Sequence, residues 1–285
     1  MPSSAPRRPA LVTTALAAAL ALSACGSASG GAGSDPGSDA ATGTSDPLRV
    51  AVTPVPHADI LAFVDDELAP EVGLDLEIIE FTDYLQPNSA LDEGSVDANY
   101  YQHGVYLADQ EEQAGYDFTG LATISFQPMG LYSSTVTDLD ALPQGATVAL
   151  PNDPVNGSRG LKLLAQEGLI TLADPDAAVP TLLDVTDNAK DLQFEEVEAA
   201  QLPRSLGDVD VAAVPGNYAL DADLSPQDDA LVAEDTSDTT YANQLVVRAG
   251  EEEDPRLQQL LELLTSEEVR RHIEETYRGA VVAAF

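Results

Sequence analysis

From Leu48 onward, short hydrophobic stretches alternate with amphipathic ones. Leu48-Arg49-Val50-Ala51-Val52 has the length of a strand, Ile60, Leu61, Val64 and Leu68 recur at helical spacing, and Leu74 to Phe81 is again strand-like. Runs of that length between turn residues read as strands, and a repeat near 3.6 residues reads as one face of a helix. The same reading predicts strands at 96–100, 121–125 and 129–133, with a helix from about His103. A second series follows, with strands at 147–150, 192–197 and 209–214 and helices at 158–166 and 199–206. Such alternation predicts βαβ units around mainly parallel sheets, an α/β fold. After a strand running to Arg248, Leu257, Leu260, Leu261 and Leu264 share one helix face. Ser266 then caps a helix that carries Val269, Ile273 and Tyr277.

The two series share a local signature. Gly94-Ser95-Val96-Asp97-Ala98-Asn99 is echoed by Gly207-Asp208-Val209-Asp210-Val211-Ala212, and a tyrosine-bearing helical segment follows each. Two similar lobes would explain the echo, and so would a common way of entering a strand.

The region before Leu48 has a different character. Arg7 and Arg8 precede an apolar run from Ala10 to Leu22 and small residues up to Cys25, the only cysteine. This is the layout of a secretory signal, and the run is shorter than the ~20 apolar residues that span a bilayer. Leu22-Ser23-Ala24-Cys25 resembles the lipobox of bacterial lipoproteins, which marks Cys25 as the lipidated first residue after cleavage. Gly, Ser, Ala, Asp and Thr dominate from there to Pro47, as in a flexible tether. The expected division is therefore a signal peptide at 1–24, a tether at 25–47, and about 240 residues beyond, enough for a sizeable core. With one cysteine the domain has no internal disulfide, although it is exported to a place where disulfides survive.

Charge narrows the partners. After the signal, ten basic side chains stand against 49 acidic ones, a formal charge of −39. Such a surface repels nucleic acid and anionic headgroups, which excludes a nucleic-acid partner and leaves the lipid anchor as the link to the membrane. No Gly-rich phosphate loop, His-Glu-x-x-His pair or Gly-x-Ser-x-Gly elbow occurs. The three histidines, His57, His103 and His272, lie too far apart along the chain to give a metal-ligand spacing. The chain is read as a non-enzyme without cofactor or metal; an exported enzyme or an adhesin are the alternative classes.

Aromatic and amide residues gather instead at the ends of predicted strands, where open α/β sheets bind ligands. Tyr84 follows one strand, Tyr101 and His103 another, Asn217 and Tyr218 a third, and Tyr241 and Asn243 open the last. Each tyrosine could equally be a core edge with its hydroxyl in water. The turn-rich segment from Asn152 to Gly160, which includes Asn156 and Arg159, precedes a helix. Free N–H groups at a helix start and a guanidinium in its first turn suit a carboxylate. An exposed Arg159 paired with one of many acids is the plain alternative. Either way, a charged cleft residue is expected to be dispensable for folding.

From Leu48 to Phe285 the chain resembles the methionine-binding lipoprotein family, the substrate-binding components of methionine ABC importers. The segments that carry the likeness include Thr53-Pro54-Val55-Pro56-His57-Ala58, Phe81-Thr82-Asp83-Tyr84, Asp97 to His103, Pro128 to Ser133, Pro151 to Pro154, Glu198 to Arg204, Gly216-Asn217-Tyr218-Ala219 and Tyr277 to Ala280. The resemblance implies a two-lobed periplasmic-binding-protein-like fold of type II with the ligand in the inter-lobe cleft. Residues 48–127 and 231–285 would form lobe 1 and 128–230 lobe 2. It also implies that Arg159 clamps the ligand carboxylate, that Asn217 and Asn243 bond its polar end, and that Tyr84, Tyr101, His103 and Tyr106 surround the thioether. The implied partners are methionine, its D form or a close derivative, and a permease–ATPase complex served by a monomer on the extracytoplasmic face. Another amino acid or a methionyl dipeptide is the alternative ligand. Three residues depart from the family's pattern: Tyr101 replaces phenylalanine, Ser158 a second glycine and Pro215 an asparagine. A hydroxyl added at Tyr101 needs a partner inside the pocket.

Overall fold

The computed structural model describes residues 46–285. The signal segment, Cys25 and all but the end of the tether lie outside the described residues.

Among the described residues thirteen strands run in chain order: β1 (Leu48–Val52), β2 (Leu76–Glu80), β3 (Ala98–His103), β4 (Phe118–Phe126), β5 (Gly130–Tyr132), β6 (Thr147–Pro151), β7 (Thr171–Leu172), β8 (Val185–Asp187), β9 (Gln193–Val197), β10 (Val211–Val214), β11 (Val232–Ala233), β12 (Asn243–Arg248) and β13 (Val282–Ala283). They form a six-stranded sheet in the order β2-β1-β3-β12-β4-β13, a five-stranded sheet in the order β9-β6-β10-β5-β11, and a small β7-β8 ribbon. In the first sheet β1 pairs parallel with β2 and β3, and β12 runs antiparallel between β3 and β4. The second repeats that plan, with β6 parallel to β9 and β10, and β5 antiparallel to β10. In each sheet the antiparallel strand beside the third parallel one is formed by chain arriving from the other sheet.

The echoed hexapeptides sit at matching places. Asp97 accepts a hydrogen bond from the Arg49 amide at 2.9 Å and donates its own amide to the Arg49 carbonyl at 2.8 Å. Asp210 does the same with Thr147, at 2.8 and 3.0 Å. The shared aspartate latches the third strand to the first at the start of each sheet, so the echo reflects strand-entry chemistry repeated once per lobe.

Both faces of each sheet are covered, which accounts for the nearly continuous apolar runs. On one face of the first sheet Val50, Val52, Leu245 and Val247 pack with Ile60, Leu61, Leu257, Leu260, Leu264 and Ile273; the alternate residues Ala51 and Val246 pack on the other with Leu91, Leu107 and Phe118. The second sheet divides likewise, Val148, Leu150 and Val211 facing Leu161 and Leu164 while Ala149, Ala212 and Val214 face Leu202 and Ala219. The C-terminal helices Pro255–Leu264 and Glu267–Tyr277 return to the first sheet, and Ser266 caps the second of them by accepting from the Val269 amide at 3.3 Å.

Two expectations change. Val232–Ala233 pairs with β5 in the second sheet, beyond the expected return to lobe 1 at residue 231, because β5 would otherwise be left as an open edge. The helix expected at 158–166 begins at Pro154, since Asp153 caps it by accepting from the Asn156 amide at 2.8 Å and proline suits the first helical position. Asn156 therefore stands in the first turn and Arg159 in the second.

Candidate functional site

The carboxyl end of β3 and the start of antiparallel β12 lie at one edge of the first sheet, and His103 pairs with Asn243 in register. The helix Pro154–Gln166 points its start toward this edge. Eight of the residues singled out in the sequence, Tyr84, Tyr101, His103, Tyr106, Asn156, Arg159, Asn217 and Asn243, line one cavity between the sheets, together with Gln102, Gln127, Pro215 and Gly216, whereas Tyr218 and Tyr241 do not line it. The cavity is tight, about 20 Å³, room for about one water.

Tyrosines form one wall. The rings of Tyr84, Tyr101 and Tyr106 stand 5.9 to 6.3 Å apart, and Tyr218 lies 4.9 Å from Tyr84. The Tyr101 and Tyr106 hydroxyls both donate to the Tyr84 carbonyl, at 2.9 and 3.2 Å. The hydroxyl that distinguishes Tyr101 from phenylalanine is thus satisfied by backbone. The other departure in the cleft helix is different: the Ser158 hydroxyl is buried with no partner among the described residues. Tyr84 donates to Asn217 Oδ1 at 2.5 Å and Tyr218 to the Thr82 carbonyl at 3.2 Å, so both hydroxyls bridge the two sides of the cleft. Burial raises the Tyr84 and Tyr101 hydroxyls well above their ordinary pKa, which keeps them neutral donors.

The polar groups show a consistent handedness of donors and acceptors. Asn217 spends its oxygen on Tyr84, which frees its amide nitrogen. Asn156 directs its amide nitrogen at the Asp153 carboxylate, 3.1 and 3.2 Å away, which leaves its oxygen as an acceptor beside the His103 ring. His103 caps the helix Gly104–Ala114, its Nδ1 accepting from the Tyr106 amide at 3.1 Å, so the ring proton sits on Nε2. Asn243 Nδ2 lies 2.9 Å from both the Tyr101 carbonyl and Gln127 Oε1, and 2.8 Å from His57 Nε2.

Arg159 is 4 % exposed and anchored from behind. Its Nε donates to Glu234 Oε1 at 2.6 Å, and its Nη2 donates to Glu234 Oε2 and, at 3.0 Å, to the Gln127 carbonyl. Nη1 has no hydrogen bond among the described residues. The guanidinium also lies over the Tyr241 ring, 4.7 Å from its centroid. Burial opposes the Arg159 charge and the Glu234 carboxylate more than offsets it, leaving the arginine above its ordinary pKa. Glu234 in turn accepts from the Met129 amide at 2.8 Å. Arg159 is therefore part of a buried pair joining the cleft helix to the segment after β11, so its removal is expected to cost stability as well as binding.

Glu234, Gln127 and His57 are the cleft residues that sequence reasoning passed over. One glutamate among so many acids carries no signal, and Gln127 lies outside any motif of spacing. His57 stood in a matching segment, but only its ring contacts reveal a link to Asn243.

Burial lowers both His57 and His103 from 6.5 to about 3. Neither ring is expected to titrate between pH 5 and 8 in histidine NMR spectra of the folded protein. Since the unfolded chain takes up these protons and the folded one does not, their neutral burial stabilises fully above pH 6.5. That stability is lost as pH falls toward 3, at up to ~1.4 kcal/mol per pH unit for each ring.

The groups around the cavity match a small zwitterion. Donors from Arg159 and Asn217 match a carboxylate, amide oxygens match an ammonium, and the tyrosine wall suits an apolar, polarizable tail. Among the described residues no three His, Cys, Asp or Glu side chains converge as metal ligands, and no helix is long and apolar enough to cross a membrane.

Known proteins share this frame. A nutrient-binding protein from Burkholderia cenocepacia, solved bound to methionine, is 40% identical with a TM-score of 0.80, covering 84% of this chain and all of that one. A probable D-methionine-binding lipoprotein from Pasteurella multocida is 38% identical over 74% of this chain and 76% of its own length. Membrane lipoprotein TpN32 from Treponema pallidum is 36% identical over 82% and 87%. The NlpA lipoprotein family matches residues 48–285, the whole folded domain, and the chain belongs to that family.

Proposed function

We propose that this protein is a lipid-anchored solute-binding protein that captures methionine, in the L or D form, on the extracytoplasmic face and delivers it to an ABC importer. The observation that carries this reading is the cleft itself, in which donors, acceptors and tyrosines are sorted as a zwitterion with an apolar tail requires. Arg159 Nη1 and the Asn217 amide take the carboxylate, the Asn156 oxygen takes the ammonium, and Tyr84, Tyr101 and Tyr106 enclose the thioether. Each sulfur–aromatic contact contributes ~0.3–1.5 kcal/mol. Because Arg159 and Glu234 neutralise one another, the site favours a ligand of zero net charge over an anion. A cavity of about 20 Å³ cannot admit an amino acid as it stands, so the lobes part for entry and close on the ligand, burying it from both sides. The same closed form, carried as a monomer, is what a permease–ATPase complex would recognise.

A thermal-shift screen of the folded domain against all amino acids and methionine derivatives tests the assignment. Binding stabilises by RT ln(1 + [L]/Kd), ~4 kcal/mol at a thousandfold excess over Kd, which for a domain of this size raises Tm by roughly 8–16 °C. A shift with another amino acid and none with methionine overturns the ligand.

The anchor is tested separately. Cys25→Ser is expected to move the protein from the membrane to the soluble fraction or to stop its processing, because stable attachment needs at least two acyl chains. Absence of labelled fatty acid in the wild-type protein refutes lipidation at Cys25.

A further inference from the structure

Beneath the cavity His57 is fully buried between Thr53 and Asn243. Its Nδ1 lies 2.7 Å from the Thr53 hydroxyl and its Nε2 lies 2.8 Å from Asn243 Nδ2. The family resemblance gives Asn243 a place at the ligand's polar end, yet a primary amide presents either a donor or an acceptor according to how it is turned. The surroundings decide this. A backbone carbonyl only accepts, so the Asn243 atom 2.9 Å from the Tyr101 carbonyl is the nitrogen. A donor facing His57 Nε2 requires that nitrogen to be unprotonated, which places the ring proton on Nδ1, pointing at Thr53. Asn243 Oδ1, with no hydrogen bond among the described residues, is then the atom left for the cavity that Asn243 lines.

We infer that His57 and Thr53 are positioning residues which, from behind the pocket wall, hold the Asn243 amide with its oxygen toward the ligand, so that it accepts from the ammonium group of an amino acid. The inference rests on the cleft being an amino-acid site. If the ring proton moved to Nε2, two donors would face each other. The Asn243 amide would then twist or turn over, presenting N–H groups to a cation. Tyr101 and Gln127 restrain the same nitrogen, and the imidazole is the member of the set whose polarity can reverse without moving an atom other than hydrogen. Burial keeps the ring neutral, with a pKa of about 3, so its tautomer and not its charge is what matters: the Asn243 nitrogen selects it, and the Thr53 hydroxyl, free to accept, holds the proton on Nδ1. His103 carries its proton on the opposite nitrogen, and in both rings an atom of fixed polarity nearby makes the choice.

Two measurements on the intact folded domain decide the matter. In ¹⁵N spectra of the methionine-bound protein, His57 should show a protonated Nδ1 and a bare Nε2; a protonated Nε2 overturns the inference. In calorimetry with methionine, Thr53→Val, which keeps the side chain's shape and removes the hydroxyl, should weaken binding by roughly 2- to 13-fold, the worth of one hydrogen bond. His57→Gln should lose measurably less affinity than Thr53→Val, since its amide can donate to Thr53 and accept from Asn243 together. Unchanged affinity in a folded Thr53→Val, or an equal loss in both variants, reduces His57 to core packing and overturns the inference. Failure of the wild-type protein to bind any amino acid would instead remove the reading on which it rests, and the ¹⁵N spectrum of the unliganded protein would still report the tautomer.

Discussion

Arg159→Ala is expected to weaken methionine binding by roughly 30-fold to several thousandfold, corresponding to ~2–5 kcal/mol for one partner lost from a desolvated charge pair. The upper part of that range applies here. Without the guanidinium, the ligand carboxylate would share the closed cleft with Glu234, whose side chain is 13 % exposed, and two anions would face each other with only amide donors between them. Lysine should rescue in part, because a point charge can neutralise Glu234 or reach the ligand but cannot hold both as the planar guanidinium does, with Nε and Nη2 on Glu234 and Nη1 left for the ligand. Calorimetry with methionine on Arg159→Ala and Arg159→Lys, with circular dichroism on each, provides the check. An alanine variant that is folded and binds within threefold of wild type would place the carboxylate elsewhere.

The second large effect falls on stability and tests the role of Glu234 apart from any ligand. Glu234→Ala leaves a guanidinium with 5 % side-chain exposure and no counter-ion, and breaking a buried pair in this way costs ~3–5 kcal/mol. For a domain of this size that is a fall in Tm of roughly 6–20 °C. Glu234→Gln should lose much less, since its amide oxygen still accepts from Arg159 Nε or from the Met129 amide. Its methionine affinity should nonetheless drop, because a site that holds an uncompensated arginine favours anions over zwitterions. Scanning calorimetry without ligand separates the two variants. If alanine and glutamine destabilise equally, packing and not charge is what Glu234 supplies.

Much of this molecule is legible from its residues. Val50, Val52 and Ala51 announce a strand buried on both faces, Ser266 announces a helix start and Asp97 and Asp210 mark the same strand entry in each lobe, because these signals depend on periodicity and short-range hydrogen bonding, which the local sequence contains. The same holds for the site's aromatic side. Tyr84, Tyr106 and Asn217 stand just past strand ends and Tyr101 near the end of one, and the geometry of parallel sheets sends strand ends to one edge. The helix start at Pro154 was also written locally, in Asp153 and the proline, but the apolar pattern that begins later drew the expected boundary to Ser158.

What the sequence could not decide is polarity and pairing. Whether Asn243 offers nitrogen or oxygen, which ring nitrogen of His57 carries the proton, and which of many acids faces Arg159 all depend on partners far away along the chain: His57 lies 186 residues from Asn243, and Glu234 75 from Arg159. No periodicity encodes such contacts. The sequence by itself determined an α/β fold and the residue types that gather at its strand ends, since burial pattern and strand direction follow from local chemistry; the two lobes it implied only through the family resemblance. Only the tertiary structure, by bringing fixed backbone carbonyls and amides against freely turning side chains, decided which atom of each side chain is left to meet a ligand.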